Sequence, residues 1–76
     1  MEGYVRRVKV EDSSQIDEVC YDITALKLRV SFNTGASYVY HKVPASVFGE
    51  LVSALSIGKF FAKYVRDQYT TERIGK

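Results

Sequence analysis

The run Leu26-Lys27-Leu28-Arg29-Val30-Ser31-Phe32 alternates apolar and polar residues without a fault, the pattern of an extended strand with one face against a core. Asn33-Thr34-Gly35 follows, and Ser37 to Val43 return at strand-like spacing. The centre of the chain thus reads as a β-hairpin in which Gly35 supplies the positive φ of a tight turn. Pro44 breaks the ladder and opens a helix, because its fixed φ suits the first helical position and its missing N–H is not needed there. Val47, Phe48, Leu51 and Leu55 recur at helical spacing as the buried stripe of that helix, with Glu50 and Ser53 turned to water. Ser56 interrupts the pattern and caps a second helix. In this helix Phe61 and Val65 face inward, with Phe60 and Tyr64 as further candidates for the inner face, and Lys59, Lys63 and Arg66 share an outer face.

On either side of this centre the signals weaken. Tyr4 to Val10 alternates only loosely and reads as a tail or an edge strand. Glu11 to Gln15 is polar turn material, in which Ser14 and Asp17 form a loose capping pair that supports at most one helical turn. Val19-Cys20-Tyr21-Asp22 is a short strand, and from Thr70 onward the polar chain is expected to fray. The order strand, strand, strand, helix, helix predicts an α+β fold. It is a three-stranded antiparallel sheet with both helices on one face, because short connections favour neighbours. Residues 1–12 are the leader or an extra N-terminal edge strand, 13–73 the domain, and 74–76 a frayed end.

With 76 residues, 46% of them hydrophobic, there is room for one domain and enough apolar surface to fold it. A domain this size hides only about 60% of the surface of its unfolded chain, so its core is thin and self-association or a ligand can supplement it. The formal net charge of +2 permits a nucleic-acid partner without demanding one. The single cysteine, Cys20, cannot form an internal disulfide, which predicts a reducing, cytoplasmic setting. No run approaches the roughly 18 apolar residues of a membrane span, and Met1 to Arg7 lacks the apolar stretch of a signal peptide, so neither membrane insertion nor export is expected.

The inventory of reactive groups argues against an enzyme and against a cofactor. Zinc needs about four N or S ligands, and His41 with Cys20 are all the soft donors in the chain, so no metal site is expected. Glu11, Asp12, Asp17, Glu18 and Asp22 lack the spacing and the glycine of a calcium loop and read as a solvated acidic surface. Only His41 can serve as a near-neutral base, and no nucleophile with an orienting group accompanies it. Cys20 reads as a small buried hydrophobe rather than a reactive thiol, since acidic residues surround it in sequence. Ser56-Ile57-Gly58-Lys59 ends like a phosphate-binding loop, but Ser53 stands where that pattern needs its earlier glycine, so nucleotide hydrolysis by that route is excluded. What survives is simpler. Backbone N–H groups at a helix N-terminus, a glycine and a lysine favour an anion, and the alternative is a plain interhelical turn.

Tyr38 and Tyr40 share one side of a strand, as the base-stacking aromatics of sheet platforms do. Hairpin parity decides which side. A two-residue loop places both tyrosines on the face of Lys27, Arg29 and Ser31, an open basic platform. A three-residue Asn33-Thr34-Gly35 loop places them beside Leu28 and Val30, facing the helices, and glycine as the third loop residue favours this arrangement.

Tyr21-Asp22, Leu26-x-Leu28-x-Val30-x-Phe32, Gly35, Tyr38-Val39-Tyr40, Val43-Pro44, Val47-Phe48 and Ala54-x-Ser56-x-Gly58-Lys59-Phe60-Phe61 together resemble the KTSC domain, whose hallmark is a central Tyr-x-Tyr. The likeness continues through Val65-Arg66 and Tyr69 and covers about residues 13–73. The resemblance implies a small domain found at the C-terminus of some lysyl-tRNA synthetases and as free-standing bacterial and phage proteins, with RNA binding suggested by the synthetase context. Apolar Val39 departs from the polar residue usual between the tyrosines, and it predicts an apolar spot on the sheet's other face, a place for a partner or second copy. The leading expectation is a non-enzymatic RNA-binding module: Lys59, Lys63, Arg66 and Arg29 meet phosphates and Tyr38 or Tyr40 stacks a base. The alternatives are a homo-oligomeric interaction module, and capture of a free nucleotide or other phosphorylated small ligand by Ser56, Gly58 and Lys59.

Overall fold

The computed structural model describes residues 4–11 and 13–74. The chain runs β1 (Tyr4–Lys9), β2 (Ile16–Asp22), β3 (Lys27–Phe32), β4 (Ser37–Tyr40), α1 (Ala45–Ser53), α2 (Ile57–Tyr64) and β5 (Thr71–Arg73). All five strands form one antiparallel sheet in sequence order, β1-β2-β3-β4-β5, and both helices are inserted between its last two strands. The α+β class and the helices on one face agree with the sequence reading. The sheet has five strands rather than three, because the N-terminal segment is an edge strand on β2 and the expected frayed end is a strand on β4. Residues 1–3, 12 and 75–76, parts of the expected leader and frayed end, lie outside the described residues.

Each departure has a local cause. β5 carries three exposed side chains, so no apolar alternation announces it, and it is held by backbone. The amide N–H of His41 donates to the Thr70 carbonyl at 2.9 Å, and that of Ile74 to the Ser37 carbonyl at 2.9 Å. The Ser14–Asp17 capping pair does not open a helix. The Ser13 hydroxyl accepts instead from the amides of Gln15 at 3.1 Å and Ile16 at 2.9 Å, and β2 begins at once. A bulge between Ile16 and Glu18 then lets Ile16 and Val19, three positions apart, both face the core. Leu26 opens the faultless alternation but lies in the β2–β3 turn at φ 56°, with the Asp22 carboxylate accepting from the amides of Thr24 and Ala25 at 3.0 Å each.

The β3–β4 register pairs Leu28 with Tyr40 and Val30 with Tyr38, so the hairpin has the three-residue Asn33–Gly35 loop, with Gly35 at φ 99°. That parity turns both tyrosines toward the helices and leaves Arg29 and Val39 on the opposite face. The core gathers Val19, Tyr21, Leu28, Val30, Tyr40, Phe48, Leu51, Phe61 and Val65 between sheet and helices. The Tyr21 ring stacks on Phe48 at 4.8 Å, and its hydroxyl donates to the Val43 carbonyl at 2.6 Å, satisfying the polar end of a buried aromatic.

Two further expectations, one of the core and one of the outer face, are corrected. α1 ends at Ser53 and Ala54 turns extended, at ψ 147°, so Leu55 leaves the helical stripe and stands fully in solvent. Val39 leaves no apolar spot on the outer face, because it is only 7% exposed, between its cross-strand neighbours Arg29 and Glu72. That face is a charged surface. Arg7 pairs with Glu18 at 2.6 Å, Lys9 with Asp17 at 2.7 Å, and the His41 imidazole lies 3.4 Å from Glu72.

Candidate nucleic-acid interface

Helix α2 is the element around which the candidate residues sort. Ser56 is its N-cap, as its break in the helical apolar pattern predicts, and its hydroxyl accepts from the Lys59 amide at 3.2 Å. Phe61, packed in the core, anchors the middle of the helix, and Val65 holds its end. Lys59 and Lys63 lie four residues apart on the exposed side, and Arg66, also exposed, follows in the turn after the helix. The Lys63 ammonium sits 5.2 Å from the Tyr64 ring, which in turn lies 4.7 Å from Phe60.

The turn after α2 borders a groove of about 640 Å³ between the helix and the hairpin end of the sheet, lined among others by Gln15, Phe32, Tyr38, Phe61, Arg66 and Asp67. Its walls are a chain of edge-to-face rings: Tyr38 to Phe32 at 5.7 Å, Phe32 to Phe61 at 5.7 Å, and Phe61 to Tyr40 at 5.4 Å. β5 brings Arg73 opposite Tyr38, with its guanidinium 5.9 Å from the ring centre. Both tyrosines line the groove: Tyr38 is half-buried, whereas Tyr40 is 3% exposed and its ring is packed in the core. Burial, and after it the neighbouring Tyr38, pushes the Tyr40 hydroxyl up to about 12, with Arg66 opposing.

The sequence-predicted residues therefore separate into three places. Tyr38 and Arg66 meet at the groove, with Lys63 and Lys59 continuing along the helix beside it. Arg29 is exposed on the far side of the sheet, away from them. Ser56 and Gly58 sit at the other end of α2, where Gly58 packs close to Ser13: a Cβ added at Gly58 would come within 3.3 Å of the Ser13 hydroxyl. Gly58 therefore permits a contact within the fold, and the Ser56 oxygen is already occupied by the Lys59 amide. The Tyr40 ring, like the Phe61 ring, lines the groove from within the core and turns little surface to it.

Sequence reasoning missed Phe32 and Phe61 as groove walls, and Gln15, Asp67 and Arg73 altogether. Phe32 and Phe61 carried only a core signal. Arg73 carried none, since its placement depends on pairing between strands separated by two helices. Away from the groove, burial raises the Cys20 thiol above its ordinary range, with Glu18 adding to the effect, which lowers its thiolate fraction. Among the described residues no group of three His, Cys, Asp or Glu side chains is placed to hold a metal ion. Among the described residues no helix is long and apolar enough to cross a membrane.

Comparison with known proteins places this geometry in context. The family model of the KTSC domain matches residues 12–69, which leaves β1 and β5 flanking the matched region. The chain is 35% identical over 63 residues to a lysine–tRNA ligase of Trichormus variabilis, covering 83% of this chain but only 11% of the ligase. It is 36% identical over 58 residues to a protein of Tsukamurella paurometabola, covering 76% of this chain and 87% of that one. The crystal structure of a KTSC domain protein from Yersinia pestis superposes with a TM-score of 0.86 at 30% identity, covering 92% of this chain and 97% of that chain.

Proposed function

The chain belongs to the KTSC domain family, and from that premise we propose that it is a non-enzymatic module that binds single-stranded RNA along α2 and the ring-lined groove. The observation that carries this reading is the convergence of Arg66 and the half-buried Tyr38 ring on one groove, with Lys63 and Lys59 extending the positive charge along the helix. Arg and Lys neutralise phosphates, and an aromatic with a free edge or face offers a sequence-tolerant contact to a base. Relatives that are lysine–tRNA ligases support an RNA partner, and the chain spans about a tenth of their length, so their activity stays with them. The single Cys20, which can form no internal disulfide, supports a reducing, cytoplasmic setting.

Fluorescence anisotropy of labelled tRNA and of an unrelated single-stranded RNA, at two salt concentrations, tests the reading. Binding should weaken with log-affinity slopes of roughly −0.7 per phosphate contact on a single strand. The double variant Lys59→Glu with Arg66→Glu should lose binding and keep its melting temperature, because both side chains are exposed. Absence of binding at low salt would remove RNA.

A second reading, self-association, is supported by a different feature. Leu55 stands fully exposed beside a smaller groove of about 320 Å³ lined by Val8, Val10, Val52 and Ile57, so one surface offers both an apolar knob and a slot. Light scattering across a concentration series on the native chain and Leu55→Asp separates the two readings, and a monomer throughout would end this one.

A further inference from the structure

Among the described residues lining the groove, Asp67 is the single acidic one, and a carboxylate is out of place where only phosphates are to be bound. Its position is fixed by the backbone of the turn that follows α2. The Arg66 amide donates to the Phe61 carbonyl at 2.9 Å and the Gln68 amide to the Val65 carbonyl at 3.1 Å, so Arg66 and Asp67 are presented together at the groove mouth. The Asp67 side chain is exposed and lines the groove beside Arg66.

An ionised carboxylate accepts hydrogen bonds and donates none. The bases differ in what they offer it. The Watson–Crick edge of guanine carries two donors side by side, N1–H and the 2-amino group. Adenine and cytosine each set an amino donor beside a ring-nitrogen acceptor, and uracil sets one N–H between two carbonyls. Only guanine engages both oxygens of a carboxylate without bringing an acceptor against it. The half-buried Phe32 and Tyr38 rings, backed by the buried Phe61, supply the apolar surround that a base leaving its stack requires, and the groove volume falls within the usual range for a small-ligand site. Arg66, next to Asp67, supplies a permanent cation for the adjoining phosphate.

We infer that the groove takes the base of one guanine nucleotide, unstacked from single-stranded RNA, with the Asp67 carboxylate accepting from its Watson–Crick edge. This inference rests on the RNA-binding reading above, and it adds sequence preference to it: the α2 cations attract the strand, and Asp67 selects the base in the groove.

The test uses the full chain and two labelled RNA octamers, one of uridine alone and one carrying a single central guanine, measured by fluorescence anisotropy. The guanine octamer should bind about tenfold more tightly, the scale of one good bidentate base contact. Inosine in place of guanine, which lacks the 2-amino donor, should forfeit most of that gain. The D67N protein should bind the two octamers alike while melting with the native chain, as expected for an exposed side chain. Equal binding of both octamers by the native chain would overturn the guanine site and leave RNA binding standing. Binding of neither would overturn both. Guanosine 5′-monophosphate distinguishes the source: binding as tight as the octamer's supports the guanine site as one for a free nucleotide, and binding at least ten times weaker supports it as one for a strand.

Discussion

The N-terminal end of α2 carries the sequence pattern that looks most like an anion site, whereas its C-terminal end carries no recognisable motif, yet the open, ring-lined groove lies at the second. At the first end the hydroxyl of Ser56 is engaged by the Lys59 amide and Gly58 is pressed close to Ser13. At the second, Arg66 and Asp67 follow the helix in a turn and line a groove floored by rings. The difference shows that a Ser-x-Gly-Lys spelling reports what a helix start needs from its own backbone before it reports a ligand. Capping and close packing use up the same donors and the same missing Cβ that an anion would require.

The largest effect expected from this contrast comes from removing the ring shared by both ends. Phe61 is buried and meets Phe32 at 5.7 Å and Tyr40 at 5.4 Å. Phe61→Ala should cost about 3 to 5 kcal/mol, enough to leave so small a domain largely unfolded. Denaturant or thermal unfolding by circular dichroism checks it, and a loss below about 1 kcal/mol would mean that α2 is not anchored to the sheet through this side chain.

A second prediction sharpens the account of the groove end. The Tyr40 hydroxyl is raised to about 12, chiefly by burial, above the value near 10 of an unfolded tyrosine. A phenol whose folded value is the higher one keeps its proton in the folded state. Its contribution is therefore complete below pH about 10 and is lost as pH rises toward 12. Stability of the native chain should fall across that window by up to the order of 2 kcal/mol more than that of Tyr40→Phe, which has no proton to lose. Parallel pH slopes for the two proteins would show that the ring is wetter than its position in the core implies.

The hairpin, the Ser56 cap, Phe48, Leu51, Phe61, Val65 and the orientation of Tyr38 and Tyr40 were legible in the sequence, because each rests on periodicity or turn chemistry within a few residues. Leu55 was misread because helical spacing continues past the point where the backbone turns extended at Ala54. β5 was invisible because its three side chains are exposed and its pairing with β4 is made by backbone across an intervening pair of helices. The groove shared that fate. Its rings come from β3, β4 and α2 and its Arg66 from the turn after α2, and only the sheet register shows that Arg73 lies over Tyr38 while Arg29 lies behind the sheet.

A third prediction sets the two ends of α2 against each other directly. Arg66 lines the groove and Lys59 does not, so charge reversal at the two positions should not be equivalent. Arg66→Glu should weaken RNA binding roughly tenfold at low salt and Lys59→Glu by about threefold, since the second removes only a flanking phosphate contact. Raising the salt should shrink both effects, and the gap with them. Equal losses would mean that the strand runs along the helix without entering the groove.

The smallest effect isolates the capped end. Ser56→Ala removes the hydroxyl that accepts from the Lys59 amide and leaves that donor at an exposed helix start, where water replaces it. The cost should be about 1 kcal/mol of stability, typical of a lost N-cap. RNA affinity, measured well below the melting transition, should stay within about twofold of the native chain, because one neutral hydroxyl contributes no counterion release. A variant that melts as the native chain does but binds RNA several-fold more weakly would reverse the comparison: the hydroxyl would then be a ligand contact after all, and the spelling that resembles an anion site would be one.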